Sequence, residues 1–147
     1  MKDREYKDAW QELKRIDYAK LEDYLEHINK YKKDLKFREY ELLSNHDSEN
    51  KEGGKGNLIS NPVERQVIMC EQDAKYKKIK DIVEGTQRFL KQCDNETLEI
   101  FRLIYWDKPY DCNTWNEVAD RYYTSKSSML RYRDVQLEKL SQEINYV

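Results

Sequence analysis

Between Lys126 and Arg133 the chain sets Lys126, Ser127, Ser128, Arg131 and Arg133 close together with no carboxylate among them. The protein as a whole holds 29 Asp and Glu against 27 Lys and Arg, so this cluster is local. Lys and Arg displace counterions from phosphates, and Arg can bond two acceptors of guanine in the major groove. The chemistry offered is recognition of duplex DNA, and no bond needs to be broken for it. Ser125 precedes the cluster and can accept a hydrogen bond from the amide of Ser127 or Ser128 as an N-cap, which starts a helix sharply. The alternative is a helical hairpin whose charged face is simply solvated.

Two amphipathic helices must position this cluster. Val118, Ala119 and Tyr122 recur at the three-to-four spacing of one helix face, and Met129, Tyr132, Leu137, Leu140 and Ile144 do so further on. Tyr123 and Thr124 leave only a short connection, so the segment from Thr114 to Arg133 reads as a helix-turn-helix. Upstream, Asp94 is expected to cap a helix from Glu96 to Trp106 whose Leu98, Phe101, Leu103, Ile104 and Tyr105 are dense enough for a core element that braces it. The stretch from Asp107 to Asn113, with Pro109, is the intervening loop. Trp115 suits burial against the bracing helix; stacking on the nucleic acid is the other use of such a ring.

The amino-terminal half reads as support. Residues Asp3 to Leu43 read as one long helix, straight or bent, opening on Tyr6, Trp10, Leu13 and Ile16. Leu21, Ile28, Leu35 and Leu42 then fall seven apart, with Tyr24 and Tyr31 three residues after the first two. This is a coiled-coil-like seam, which either pairs with a partner subunit or packs on its own domain. The polar stretch Ser44 to Asn61 holds three of the four glycines and reads as a flexible linker. Pro62 restarts the helix, where its missing amide costs nothing. Val63, Val67, Cys70, Ala74, Ile79 and Val83 carry that face to about Cys93. The expected organisation is therefore 1–43 long helix, 44–61 linker, 62–93 connecting helix and 94–147 helix-turn-helix domain.

Composition excludes several classes. Hydrophobic and charged residues each make up 38%, with two Pro and four Gly, which favours an all-α fold over a turn-rich sheet. No apolar run of about 18 residues exists, and the charged start Met-Lys-Asp-Arg-Glu-Tyr has no apolar block after it. A cytoplasmic protein without membrane contact is expected. Cys70, Cys93 and Cys112 form no Cys-x-x-Cys pair and suit reduced thiols. The Gly-Gly-Lys-Gly-Asn of the linker lacks the Ser or Thr of a phosphate loop. His27 and His46 sit near no nucleophile and in no metal-ligand spacing, and the carboxylates interleave with Lys and Arg as on exposed helix faces. No enzyme activity, metal or cofactor is expected. A net charge of −2 exerts no whole-protein pull on polyanions, so DNA affinity must come from local placement.

The carboxy-terminal part resembles the fourth conserved region of bacterial sigma factors, as found in small phage regulators. From about residue 38 to 145 the chain is similar to the RinA-like family of phage transcriptional activators. The resemblance is carried by Arg38-Glu-Tyr-Glu-Leu-Leu43, Asn61-Pro-Val-Glu-Arg65, Phe101-Arg-Leu-Ile-Tyr-Trp106, Thr114-Trp-Asn-Glu-Val-Ala119 and Ser125-Lys-Ser-Ser-Met-Leu-Arg-Tyr-Arg-Asp134. It implies sequence-specific DNA binding, activation of late or packaging genes and no catalysis. By position it puts Lys126, Ser127, Ser128, Leu130 and Arg131 toward the major groove and Arg133 on phosphate. The partners it implies are double-stranded DNA, a second copy of the chain in a homodimer, and host RNA polymerase. The rival readings are a protein-interaction adaptor that uses the Tyr-rich helix on polymerase or another phage protein, and a small-terminase-like DNA-packaging subunit.

Overall fold

The computed structural model describes residues 13–53 and 62–146, and all regular structure among them is helical. The elements are α1 (Arg15–Glu26), α2 (Ile28–Gly53), α3 (Pro62–Gln72), α4 (Ala74–Gln92), α5 (Asn95–Phe101), a π-helical continuation over Arg102–Trp106, α6 (Trp115–Arg121) and α7 (Lys126–Glu143). No helix among the described residues is long and apolar enough to cross a membrane.

The chain divides into two bodies, one made by the residues up to His27 with those from Gly85 onward, the other spanning Ile28–Glu84. This division differs from the one drawn on the sequence. The single helix expected from Asp3 to Leu43 is interrupted at His27, whose backbone leaves the helical region at φ −110° and ψ 31°. Leu21, Tyr24 and Leu25 are buried in the first body and Ile28 in the second, so the heptad seam serves two packing faces within one chain. Tyr6 and Trp10 lie outside the described residues. The linker expected from Ser44 is helical as far as Gly53. Polar residues extend a helix that apolar ones have nucleated, because propagation needs only one new bond per residue. Residues 54–61 lie outside the described residues.

In the first body Phe101 is fully buried, with the rings of Phe89, Tyr105 and Trp106 at centroid distances of 6.0, 5.6 and 6.3 Å. The helix expected over Glu96–Trp106 forms, but its last five residues widen to π geometry, and the amide of Asp107 donates to the Arg102 carbonyl at 2.7 Å. Tyr105 and Trp106 then both reach α1. The Tyr105 hydroxyl donates to Glu22 at 2.7 Å and the Trp106 indole to the Leu25 carbonyl at 2.9 Å. α4 closes on the end of α7 at Gly85, where a Cβ would lie 2.5 Å from Ile144 Cγ2 and 2.7 Å from the Glu143 carbonyl oxygen. Only glycine lets the two backbones approach so closely.

The second body is a helical hairpin. Asp73 separates α3 from α4 and accepts the Tyr76 amide at 2.8 Å, while Arg38 of α2 grips its carboxylate with two bonds of 3.0 and 2.7 Å. That guanidinium first, and the Tyr76 amide second, bring the Asp73 pKa from 3.8 down to about 2. Among the described residues, Cys70, Tyr76, Ile82 and Val83 are its buried apolar side chains besides Ile28.

Candidate nucleic-acid interface

α6 and α7 pack against each other in the first body, and each begins with a capped turn. The Thr114 hydroxyl accepts the Glu117 amide at 3.2 Å and donates to the Glu117 carboxylate at 2.9 Å. Thr114 thus satisfies one of the free donors of the first turn, and the Glu117 carboxylate accepts the Asn113 amide at 3.4 Å. Ser125 caps α7 by accepting the Ser128 amide at 3.1 Å. Asp94 caps α5 in the same way through the Thr97 amide at 2.8 Å.

Between α6 and α7 the chain turns with Tyr123 at φ 55°. The Thr124 amide donates to the Ala119 carbonyl at 2.9 Å and the Tyr123 amide to that of Asp120 at 3.2 Å. These are the paired bonds of a Schellman C-cap, a position where glycine is usual. Here a tyrosine occupies the left-handed conformation with its ring almost wholly in solvent. Behind the turn, buried Val118, Ala119 and Met129 join Ile100, Leu103 and Cys112 in one cluster, so the start of α7 is anchored on the bracing helix.

This anchoring sorts the six residues singled out from the sequence. Lys126, Ser127 and Arg131 are exposed, with Ser127 and Arg131 one turn apart on the same face. None of the three makes a side-chain bond among the described residues. Ser128 is exposed, but its hydroxyl accepts from Ser125 at 3.0 Å and lines a groove with Glu96, Thr124 and Tyr132. Leu130 is half-buried. Arg133 turns inward, bonding Asp134 at 2.9 and 3.0 Å, lying 3.9 Å from Glu22 and stacking at 5.8 Å over Trp115. It is therefore not gathered with the free cations at the start of α7. Trp115 itself meets Tyr105 edge-on at 6.1 Å and belongs to the packing. Arg121, exposed at the end of α6, went unremarked in the sequence because it stands alone among neighbours of mixed charge.

Other chemistry is sparse. Cys70 and Cys112 are buried and Cys93 is half-buried, its thiol pushed up to about 11 by burial first and the charge of Asp94 second. No group of His, Cys, Asp and Glu able to hold a metal occurs among the described residues. His27 is exposed, its ring against Asp23 at 2.8 Å.

A family model described as a protein of unknown function, DUF722, matches residues 13–142. The chain belongs to the DUF722 family. No curated protein and no solved structure matches it. The DUF722 match runs from just before α1 into the last turn of α7, so the second body, most of the first and all six candidate residues lie within it.

Proposed function

We propose that the chain is a sequence-specific duplex DNA-binding regulator of phage transcription that uses α6, its turn and α7 as a helix-turn-helix. The observation that carries this reading is the start of α7. Ser125 caps it, buried Met129 fixes its roll, and Lys126, Ser127 and Arg131 stand exposed with no carboxylate in the first turn. An α-helix fits the major groove, and its amino-terminal residues reach base edges while its positive dipole end faces phosphate. The RinA-like resemblance supports late or packaging genes as the target. A homodimer would read two half-sites and turn weak single-module contacts into a usable affinity.

The test is a salt-dependent titration with DNA from the chain's own genomic neighbourhood, comparing wild type with Arg131→Ala. Loss of about 1–3 kcal/mol of specific binding is expected if Arg131 reads a base edge, with non-specific binding little changed. An unchanged titration removes Arg131 from the interface. Binding no tighter than to unrelated duplex overturns the proposal and moves the adaptor reading to first place.

A further inference from the structure

The outward side of α2 carries a second, chemically different surface. Phe37 and Tyr40 are 64% and 68% exposed, one helical step apart. Lys30, Lys33 and Lys36 are exposed alongside them, and none of the three is ion-paired among the described residues. The opposite side of the helix is occupied. Ile28 is buried, Leu35 and Leu42 are half-buried, Arg38 is engaged by Asp73, and Glu39 by Tyr76 of α4. Asp34 and Glu41 border the strip, three residues before and four after Phe37; both are half-buried, and Glu41 lies 3.6 Å from Arg38. The exposed residues from Lys30 to Tyr40 are thus all cationic or aromatic.

We propose that this strip binds single-stranded nucleic acid, DNA or RNA, with Phe37 and Tyr40 stacking on unpaired bases and the three lysines following the phosphates. Residues three apart on a helix are separated by about 4.5 Å along its axis. That rise is close to the spacing of charges along a strand, about 3.4 Å when its bases are stacked. Flat rings beside cations are the usual platform for single strands, since every base offers a face to stack on. Paired bases in a duplex offer none. A second copy of the chain fits poorly, because a two-fold contact sets the same patch against itself and would oppose lysines with lysines. Two rings without aliphatic neighbours are also too little apolar surface to hold a helix in a lipid interface.

The experiment is a fluorescence-polarisation titration of the full chain with oligo-dT, oligo-U, an abasic strand of equal length and a duplex, each of about 12 nucleotides. Oligo-dT or oligo-U should bind more tightly than the abasic strand, and the preference between them names the source. Phe37→Ala with Tyr40→Ala should weaken that binding about tenfold or more while keeping the salt slope. Lys30→Gln, Lys33→Gln and Lys36→Gln together should lower the slope by about 2, at roughly 0.7 per phosphate. Phe37→Leu with Tyr40→Leu keeps the apolar volume and removes the flat rings, so its loss of binding separates stacking from folding. Equal binding of abasic and base-bearing strands, unchanged binding by the aromatic variants, or binding only to duplex, anionic vesicles or an acidic peptide overturns the proposal. Duplex recognition by α7 is read through Arg131 and is unaffected by either outcome.

Discussion

Around Phe101 the chain packs ring on ring, and the polar groups there are tied to particular partners, Tyr105 to Glu22 and Trp106 to a backbone carbonyl. The hairpin of Ile28–Glu84 is held by a smaller apolar set and a charged latch, Arg38 on Asp73, and leaves Phe37, Tyr40, Val63 and Ile68 largely exposed. The difference teaches how the two surfaces arise. The first body leaves Ile16, Tyr110, Tyr123 and Val135 exposed as well, but its buried ring cluster and Met129 fix the helix whose start stays in solvent. In the second, the latch holds the helices together without drawing every apolar side chain inward.

The comparison breaks most visibly at Phe101. Phe101→Ala leaves a cavity and should cost about 3–5 kcal/mol of the first body's stability. Denaturation followed by tryptophan fluorescence reports that body, since Trp106 and Trp115 both lie in it. A loss below about 1 kcal/mol would show that the ring cluster is not what holds it. Gly85→Ala comes next, because the added Cβ must push Ile144 and the Glu143 carbonyl away. Overpacking should cost more than the helix propensity gained, for a net loss of about 1–2 kcal/mol. An unchanged melting temperature would mean that α4 and the end of α7 part easily.

The smallest effect is the sharpest probe of the hairpin. Asp73 has its pKa lowered from 3.8 to about 2, so its charge favours the folded state. That contribution is fully present above pH 3.8 and is lost as pH falls through about 2. Helicity of the wild type should therefore decline across this window, and Asp73→Asn should start lower and respond less to pH there. Identical acid profiles would show that the latch carries no linkage.

Much of the local structure was legible in the residues. Asp94 and Ser125 announce two helix starts, and the density of apolar residues from Leu98 to Tyr105 marks the bracing helix. The Thr114 cap and the close approach at Gly85 were not read from the sequence, although Thr three residues before Glu suits a helix start and a lone glycine inside a helical pattern suits close packing. Other features left no such trace. Nothing in Arg102–Trp106 distinguishes π from α geometry, since the extra residue in the turn is stabilised by contacts of Tyr105 and Trp106 with α1, more than seventy positions away. The break at His27 was hidden by a heptad that continues across it. The helical reach of Ser44–Gly53 was masked by polar residues that suit linker and solvated helix alike.

The sequence by itself determined that the chain is helical, where several of its helices begin, and that a cationic stretch opens the last of them. Those are consequences of composition, of apolar spacing and of capping side chains that act within one turn. Which cations are free was decided only by tertiary structure. Arg131 and Arg133 are indistinguishable as letters, yet two residues of helix rotate one of them about 200° from the other. Burial of Met129, Leu137 and Leu140 then sets the roll of α7, sending Arg133 to Asp134, Glu22 and Trp115 and leaving Arg131 in solvent. Periodicity fixes the angles between side chains on a helix; only the neighbours packed against it fix which angle faces out.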